Sequence, residues 1–221
     1  MKNKAVIILS GGMDSTTLLY DIVNQGYKVF PLSFNYGQKH KRELECAKET
    51  CKRLNLEHKI LDLSILGDIA PSALTRSKWE VPEGHYADEN MKQTVVPNRN
   101  MVMLSLATTY AIGIGARDVF YGAHSGDHTI YPDCRPEFVN AMKKVISLSD
   151  WNKVNLHAPY LKLDKGDIVK RGIKLGVDYS LTWTCYKGEE LACGKCGSCV
   201  ERIEAFKKAG IKDPIKYQEV K

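Results

Sequence analysis

The sequence predicts an α/β fold: a parallel, doubly wound sheet with helices on both faces, followed by a C-terminal metal-binding hairpin and helix. Three observations carry this reading. Apolar runs of strand length alternate with helical patterns along most of the chain. The first run, Ala5 to Leu9, breaks at Ser10-Gly11-Gly12 and restarts as a helix. Four of the seven cysteines crowd into the fifteen positions from Cys185 to Cys199.

After the first strand and its helix, Val29 to Asn35 reads as a second strand. A helix over about Lys39 to Leu54 follows, with Leu44, Ala47, Cys51 and Leu54 at helical spacing. His58 to Leu63 is a third strand. An irregular region from Pro71 to Pro97 carries Trp79, Gly84, His85 and Tyr86, and loops of that length in compact domains are usually functional or mobile. A small-residue helix from about Asn100 to Gly113 leads to a fourth strand, Asp118 to Tyr121. A helix near Pro136 to Ser147, a short strand near Val154 to His157, a helix from Lys165 to Leu175 and a last helix over Val200 to Ala209 complete the pattern. Such βα alternation predicts a parallel sheet covered on both faces. Ligands in these folds bind at the carboxyl ends of the strands near the switch in strand order, where the first loop lies.

Length and composition suit one domain plus an appendage, divided at 1–182 and 183–221. The chain has 221 residues, 43% of them hydrophobic and 26% charged, an ordinary globular balance with enough apolar material for a core. No segment stays apolar for the ~20 residues a membrane span needs, and Ala5 to Leu9 lacks the pattern of a secretory signal, so a cytoplasmic protein is expected. The net charge of +6 is spread among acidic residues. It reads as solvated helix faces plus an anion-binding cleft and favours nucleic acid only weakly, since such surfaces more often gather basic residues with interleaved aromatics.

The first loop has the makings of a phosphate cradle. Adjacent glycines permit backbone angles closed to other residues and a close approach to a ligand. Ser10, Ser15 and Thr16 offer hydroxyls, and the free N–H groups of a helix start attract anions. The simpler alternative is a glycine turn with a capping serine. The common P-loop needs four residues between its glycines and a lysine beside Ser/Thr, and neither is present. Ser10-Gly-Gly-Met-Asp-Ser15 instead resembles the signature of the PP-loop ATP pyrophosphatases, of adenine nucleotide α-hydrolase-like fold. These enzymes cut ATP between its α and β phosphates and adenylate a substrate oxygen.

Cys185, Cys193, Cys196 and Cys199 carry the second signal. In a cytosolic chain such spacing points to a metal rather than to disulfides. Gly194 and Gly197 allow tight turns around an ion. Four thiolates complete a closed tetrahedron, so zinc in a structural role is the first choice. An iron–sulfur cluster is the rival, although the ferredoxin run would place a further cysteine and proline downstream. Cys46, Cys51 and Cys134 are isolated and read as small core residues.

With both ends in hand, the chain resembles the 7-cyano-7-deazaguanine synthase family over nearly its whole length. The likeness rests on Ser10 to Thr17, Asn35-Tyr-Gly-Gln-Lys-His40, Val96-Pro-Asn-Arg-Asn100, Gly122-Ala-His-Ser-Gly-Asp127, Tyr131 to Phe138, Pro159 to Lys165, and Thr182-Trp-Thr-Cys-Tyr186 with the three later cysteines. The resemblance implies a carbon–nitrogen ligase of queuosine precursor biosynthesis. It would convert 7-carboxy-7-deazaguanine and free ammonia to the nitrile through an adenylated carboxylate and then an adenylated amide. AMP and pyrophosphate are released each time. ATP, Mg2+ and Zn2+ are the implied cofactors, and a homodimer the implied assembly.

Residue roles follow from that likeness. Leu9, Ser10, Gly11, Gly12, Met13, Asp14, Ser15, Thr16, Thr17, Leu18 and Leu19 form the nucleotide-binding segment, with Asp14 on magnesium or steadying the loop. Arg99 and Lys165 neutralise charge in the transition state. Asp127, Asp133 and Glu137 compete to accept the two hydrogen bonds of the guanine-like edge, while Tyr36, His85 or Tyr131 stacks on the ring. His40 and His124 lie in the shared motifs, His40 also serving as a helix cap. Two other classes of protein fit parts of the chain. A tRNA-modifying PP-loop thiolase would use the cysteines for sulfur transfer, and a zinc-ribbon nucleic-acid-binding module would leave the middle motifs without a purpose.

Overall fold

Ala5, Val6 and Ile7 are all fully buried, which a strand achieves only at the centre of a sheet covered on both sides. The structure, a computed structural model describing residues 2–85, 89–187 and 190–219, places that strand at the centre. The strands are β1 (Lys4–Ile8), β2 (Lys28–Asn35), β3 (Lys59–Asp62), β4 (Asp118–Phe120) and β5 (Asn155–His157). They form one sheet in the order β3-β2-β1-β4-β5, with every neighbouring pair parallel. The order reverses direction at β1, so the switch point lies between β1 and β4.

The helices are α1 (Met13–Asn24), α2 (Arg42–Arg53), α3 (Ser64–Ile69), α4 (Arg99–Gly113), α5 (Pro136–Ser147), α6 (Lys165–Lys174) and α7 (Gly197–Ala209). Alternation along β1 sends its side chains to two separate cores. Ala5 and Ile7 pack with Leu18, Leu19 and Ile22 of α1, Ala47 and Cys51 of α2, and Ile168 of α6. Val6 packs with Leu104 and Ala107 of α4 and with Val139 and Met142 of α5. Thus α1, α2 and α6 cover one face, and α4 and α5 the other. No helix among the described residues is long and apolar enough to cross a membrane.

The predicted strands and long helices all form, with ends shifted by one to three residues. α7 starts at Gly197, three residues before the expected Val200. α3 was not expected: of its six residues only Leu66 and Gly67 are buried, too few to leave a periodic signal. The region from Pro71 to Pro97 is irregular yet partly anchored. Ala73, Leu74, Met91 and Val96 are buried, the Ala73 N–H donates to the Gln93 carbonyl at 2.8 Å, and Glu89–Thr94 form a 3-10 turn. Tyr86 lies outside the described residues.

The C-terminal unit is tied in through charge and close packing. Arg202 on α7 has no exposed surface. It holds Asp213 with two bonds, at 2.8 and 3.0 Å, and donates to the Thr182 and Thr184 hydroxyls at 2.8 and 3.1 Å. On the opposite flank of α6, Arg171 grips the buried Asp21 of α1 with bonds of 2.7 and 2.9 Å, and Tyr160 adds a third at 3.1 Å. Burial alone would raise the Asp21 pKa, but the Arg171 bonds outweigh it and hold it below the ordinary value of 3.8. A carboxylate depressed in this way contributes stability above its unfolded pKa and loses it as pH falls through the folded one. Asp21→Asn should therefore cost about 2 kcal/mol at pH 7, the Arg171 side being half-exposed and screened. In urea titrations the deficit should shrink below pH 4 as the wild type loses the same charge; a deficit constant from pH 7 to pH 3 would rule this out.

Candidate active site

Gly11 makes the first loop possible. Its φ of +90° lies in the left-handed region, and a Cβ there would sit 1.9 Å from the Glu43 carbonyl oxygen on α2. Only glycine meets both demands. The turn is then laced by its serines. The Ser10 N–H donates to Ser15 Oγ at 3.1 Å, the two hydroxyls lie 2.9 Å apart, and the Gly12 N–H donates to Ser10 Oγ at 3.1 Å. The Trp183 N–H fastens the loop from the C-terminal side by donating to the Gly11 carbonyl at 3.0 Å.

The loop opens onto a cleft at the carboxyl ends of β1, β2 and β4, with about 1070 Å3 of open space including the solvent at its mouth. From the predicted nucleotide segment, Leu9, Ser10, Gly12, Asp14 and Ser15 line it. Met13, Thr16, Thr17, Leu18 and Leu19 are instead buried in α1 and hold the loop from behind; Thr17 Oγ1, for example, lies 2.8 Å from the Tyr179 hydroxyl.

A dense charge cluster stands beside the loop. Lys165, the first residue of α6, is only 7% exposed. Its Nζ donates to Glu201 at 2.5 Å and lies 3.6 Å from Asp14 Oδ2. Burial pushes the Lys165 pKa down, but Glu201, Asp14 and Asp127 more than reverse this, so it stays charged. Glu201 is raised by burial against the opposing pull of Lys165 and His124. His124 Nδ1 accepts the Gly126 N–H at 3.1 Å. Its Nε2 therefore carries the proton of the neutral ring, facing Asp127 at 3.4 Å and Asp14 at 3.7 Å. Asp14 Oδ1 is buried with no hydrogen-bond partner, an orphaned carboxylate oxygen suited to a hard divalent cation.

The other predicted residues divide. Tyr36, Arg99, Asp127 and Tyr131 line the cleft, as do His40 and His124. Asp133 and Glu137 do not. Asp133 accepts the backbone N–H of Asn100 at 3.0 Å and so caps α4, while Glu137 is exposed in the first turn of α5. His85 is exposed and pairs with Glu204 at 3.0 Å. His40, buried to 1%, sits before the α2 cap at Lys41, its Nε2 3.4 Å from Glu43.

Sequence reading missed several lining residues: Glu43, Tyr121, Thr184, Tyr186 and Ser198, together with Glu201 at Lys165. Thr184 and Tyr186 flank Cys185, and Ser198 adjoins Cys199, so the cysteine spacing held a clue to them. Glu201 carried no signal of its own.

The four cysteines converge as expected. All are buried, and their sulfurs lie within 4.8 Å of one another. A Zn–S distance of ~2.3 Å places tetrahedral sulfurs ~3.8 Å apart, and those of Cys193 and Cys199 are 3.9 Å apart. Such a cage accepts one ion; a multi-iron cluster would have to spread the sulfurs further. Backbone N–H groups of Cys196 and Lys195 point at Cys193 Sγ, at 3.3 and 3.4 Å, and stabilise a thiolate there. By contrast burial pushes the Cys46 and Cys51 thiols up to about 11 and about 12, so neither is a ready nucleophile.

Fold and site together define the class: an α/β protein of the PP-loop ATP pyrophosphatase type. The NMN synthetase from Francisella tularensis shares this fold, with a TM-score of 0.56 over 94% of this chain and 77% of that one, at 15% identity. Residues 4–210 match the family described as "Queuosine biosynthesis protein QueC". The "7-cyano-7-deazaguanine synthase" of Caldicellulosiruptor saccharolyticus is 67% identical over 97% of this chain and 96% of its own length. That of Methanoregula boonei is 65% identical over 97% and 99%. The chain belongs to the QueC family, the 7-cyano-7-deazaguanine synthases of queuosine biosynthesis.

Gly11→Ala tests the loop, with Gly26→Ala as its control. Both positions have positive φ, +90° and +87°, but nothing lies within 4 Å of a Cβ at Gly26. The control should lose about 1 kcal/mol by strain alone and keep nucleotide binding. Gly11→Ala should abolish nucleotide binding measured by calorimetry; equal behaviour of the two variants would show that contact with Glu43 does not shape the loop.

Proposed function

We propose that the cleft activates 7-carboxy-7-deazaguanine twice with ATP and delivers the nitrile. The observation that carries this is the union, in one cleft, of a glycine-serine loop at a helix start with a buried, carboxylate-held lysine at its edge. A carboxylate resists ammonia because its oxygen leaves poorly. In the first stage that oxygen attacks the α-phosphorus of ATP, the α–β bond breaks, and pyrophosphate departs into the loop formed by Ser10, Gly12 and Ser15. Ammonia then attacks the activated carbon, AMP leaves, and the amine proton passes to solvent or a nearby carboxylate. In the second stage the amide oxygen attacks a second ATP in the same way. Loss of AMP and of both N–H protons leaves the triple bond.

This chain's residues place and neutralise charge throughout. Lys165 stands over the loop where charge accumulates on the departing pyrophosphate, and Arg99 is a second cation lining the cleft. Asp14, with its orphaned Oδ1, would hold the magnesium that accompanies ATP; the ion would supply further charge neutralisation on the phosphates. Tyr36 and Tyr131 offer rings for the deazapurine, and Asp127 a carboxylate for its amino-pyrimidinone edge. Ammonia is taken free, and the working unit is a homodimer in the cytoplasm.

Cys185, Cys193, Cys196 and Cys199 would hold zinc in a structural role, since four protein thiolates leave no open position. On this reading residues 183–221 form a zinc-binding subdomain attached to the catalytic unit at 1–182. A sulfur-transfer role would need a reactive thiolate, and the three cysteines outside the cage are buried or half-buried with raised pKa values.

Mass spectrometry and phosphorus NMR on one reaction containing protein, magnesium, ATP, ammonia and 7-carboxy-7-deazaguanine should show nitrile, AMP and pyrophosphate. ADP as the nucleotide product would exclude α-phosphorus chemistry. Asp14→Asn should lower turnover at least ~100-fold without lowering the melting temperature, and unchanged turnover would remove its role. Cys196→Ser should lose the bound metal, stability and turnover together; full metal retention by elemental analysis would break the four-thiolate assignment.

A further inference from the structure

We infer that Arg99 seats the carboxylate of the substrate in the first activation stage, and that it thereby distinguishes the acid from the neutral amide of the second stage. This rests on the function proposed above and assigns to one residue a task that belongs to only one of its two stages.

Among the described residues, Arg99 differs from the other cations in the protein interior. Lys165 has Glu201 and Asp14, and Arg202 has Asp213. Arg99 has no carboxylate of the described residues within 4 Å. Its guanidinium donates to the Tyr36 hydroxyl at 3.2 Å and stands 5.4 Å from the centre of that ring. The acid whose charge reaches it, Asp133, is engaged with the N–H of Asn100. A cation held in a cleft without a counter-charge is costly, and an anionic ligand removes that cost.

Two further groups facing the same cleft lack partners. The Tyr121 hydroxyl and His40 Nδ1 are both buried, at 5% and 1% exposure, and neither has a hydrogen-bond partner. A buried polar atom left unpaired in a folded protein points to a ligand or water that completes it. Guanidinium, phenol and imidazole together suit a flat polar molecule bearing a carboxylate, to which the planar fork of arginine can donate twice.

Placement separates this anion from the phosphates. The loop and Lys165 belong to α1 and α6 on one face of the sheet, whereas Arg99 opens α4 on the other face. The two cations enter the cleft from opposite sides and share no carboxylate partner. Lys165 is thus set for groups present in both stages, the phosphates, and Arg99 for a charge present only in the first.

The test supplies two substrates separately: 7-carboxy-7-deazaguanine, and the corresponding primary amide as a synthetic compound. Each is turned over by wild type, Arg99→Met and Arg99→Lys with magnesium, ATP and ammonia. Arg99→Met should reduce kcat/KM for the acid by ~100-fold, and for the amide by less than ~5-fold, the effect of a changed neighbour alone. Arg99→Lys, which keeps the charge without the fork, should recover part of the loss on the acid only and stands in should the methionine variant fold poorly. Equal losses on acid and amide would assign Arg99 to the phosphates and overturn the inference, as would no loss on either. Failure of the wild type on both substrates would instead overturn the ligase reading on which the inference stands.

Discussion

A buried ammonium sets the geometry of the cleft. Lys165 sits at 7% exposure, where desolvation would strip its proton unless carboxylates surround it. Those carboxylates come from segments far apart in sequence: Asp14 from the first turn of α1, Asp127 from the segment after β4, and Glu201 from α7. Together they outweigh the cost of desolvating the ammonium. Keeping one lysine ionised therefore binds the phosphate loop, the centre of the sheet and the C-terminal unit into a single arrangement. It also leaves Asp14 with an oxygen free for a cation.

The cysteine cage acts on the same site through short lengths of chain. Cys196 caps α7, Cys199 lies in its first turn, and Glu201 follows two residues later. Cys185 is flanked by Thr184 and Tyr186, both of which line the cleft. Arg202 of the same helix fixes Thr182 and Thr184. An ion in the cage thus pins both the strand-like segment and the helix that complete the cleft wall. The two strongest sequence signals, the glycine loop and the cysteines, lie near opposite ends of the chain and are joined where Trp183 donates to the Gly11 carbonyl.

How much of this could be read in advance follows from how each feature is encoded. The sheet and long helices were readable because burial on two faces leaves continuous apolar runs and helical stripes. α3 was not, since a six-residue helix with two buried positions has no period. Gly11 and the cage ligands were readable because few residue types tolerate a left-handed turn or bind a soft ion. Asp133 and Glu137 looked equivalent to Asp127 in sequence, all being acids within eleven positions. Only the chain path decides that Asp133 caps α4, that Glu137 faces solvent and that Asp127 enters the cleft. Glu201 was invisible for the same reason: an ordinary acid on a charged helix acquires meaning only when α7 packs against α6 and brings Lys165 to 2.5 Å.

The doubly wound topology also bears on how one nucleotide site could serve two activations. On the proposed reaction the first ATP must leave as AMP and pyrophosphate, and a second must enter, while the amide stays bound. A cleft in which a single set of groups held both molecules would release them together. Here the loop, Asp14 and Lys165 rise from the α1 and α6 face, while Tyr36, Tyr121 and Arg99 stand at the ends of β2 and β4 and the start of α4. Contacts to the ring can therefore persist while those to the phosphates are broken and remade. The separation follows from the packing of the helices, with α1, α2 and α6 on one face of the sheet and α4 and α5 on the other. The sheet thus gives the cleft two separate walls, and on the proposed reaction one can keep the ring while the other exchanges nucleotide.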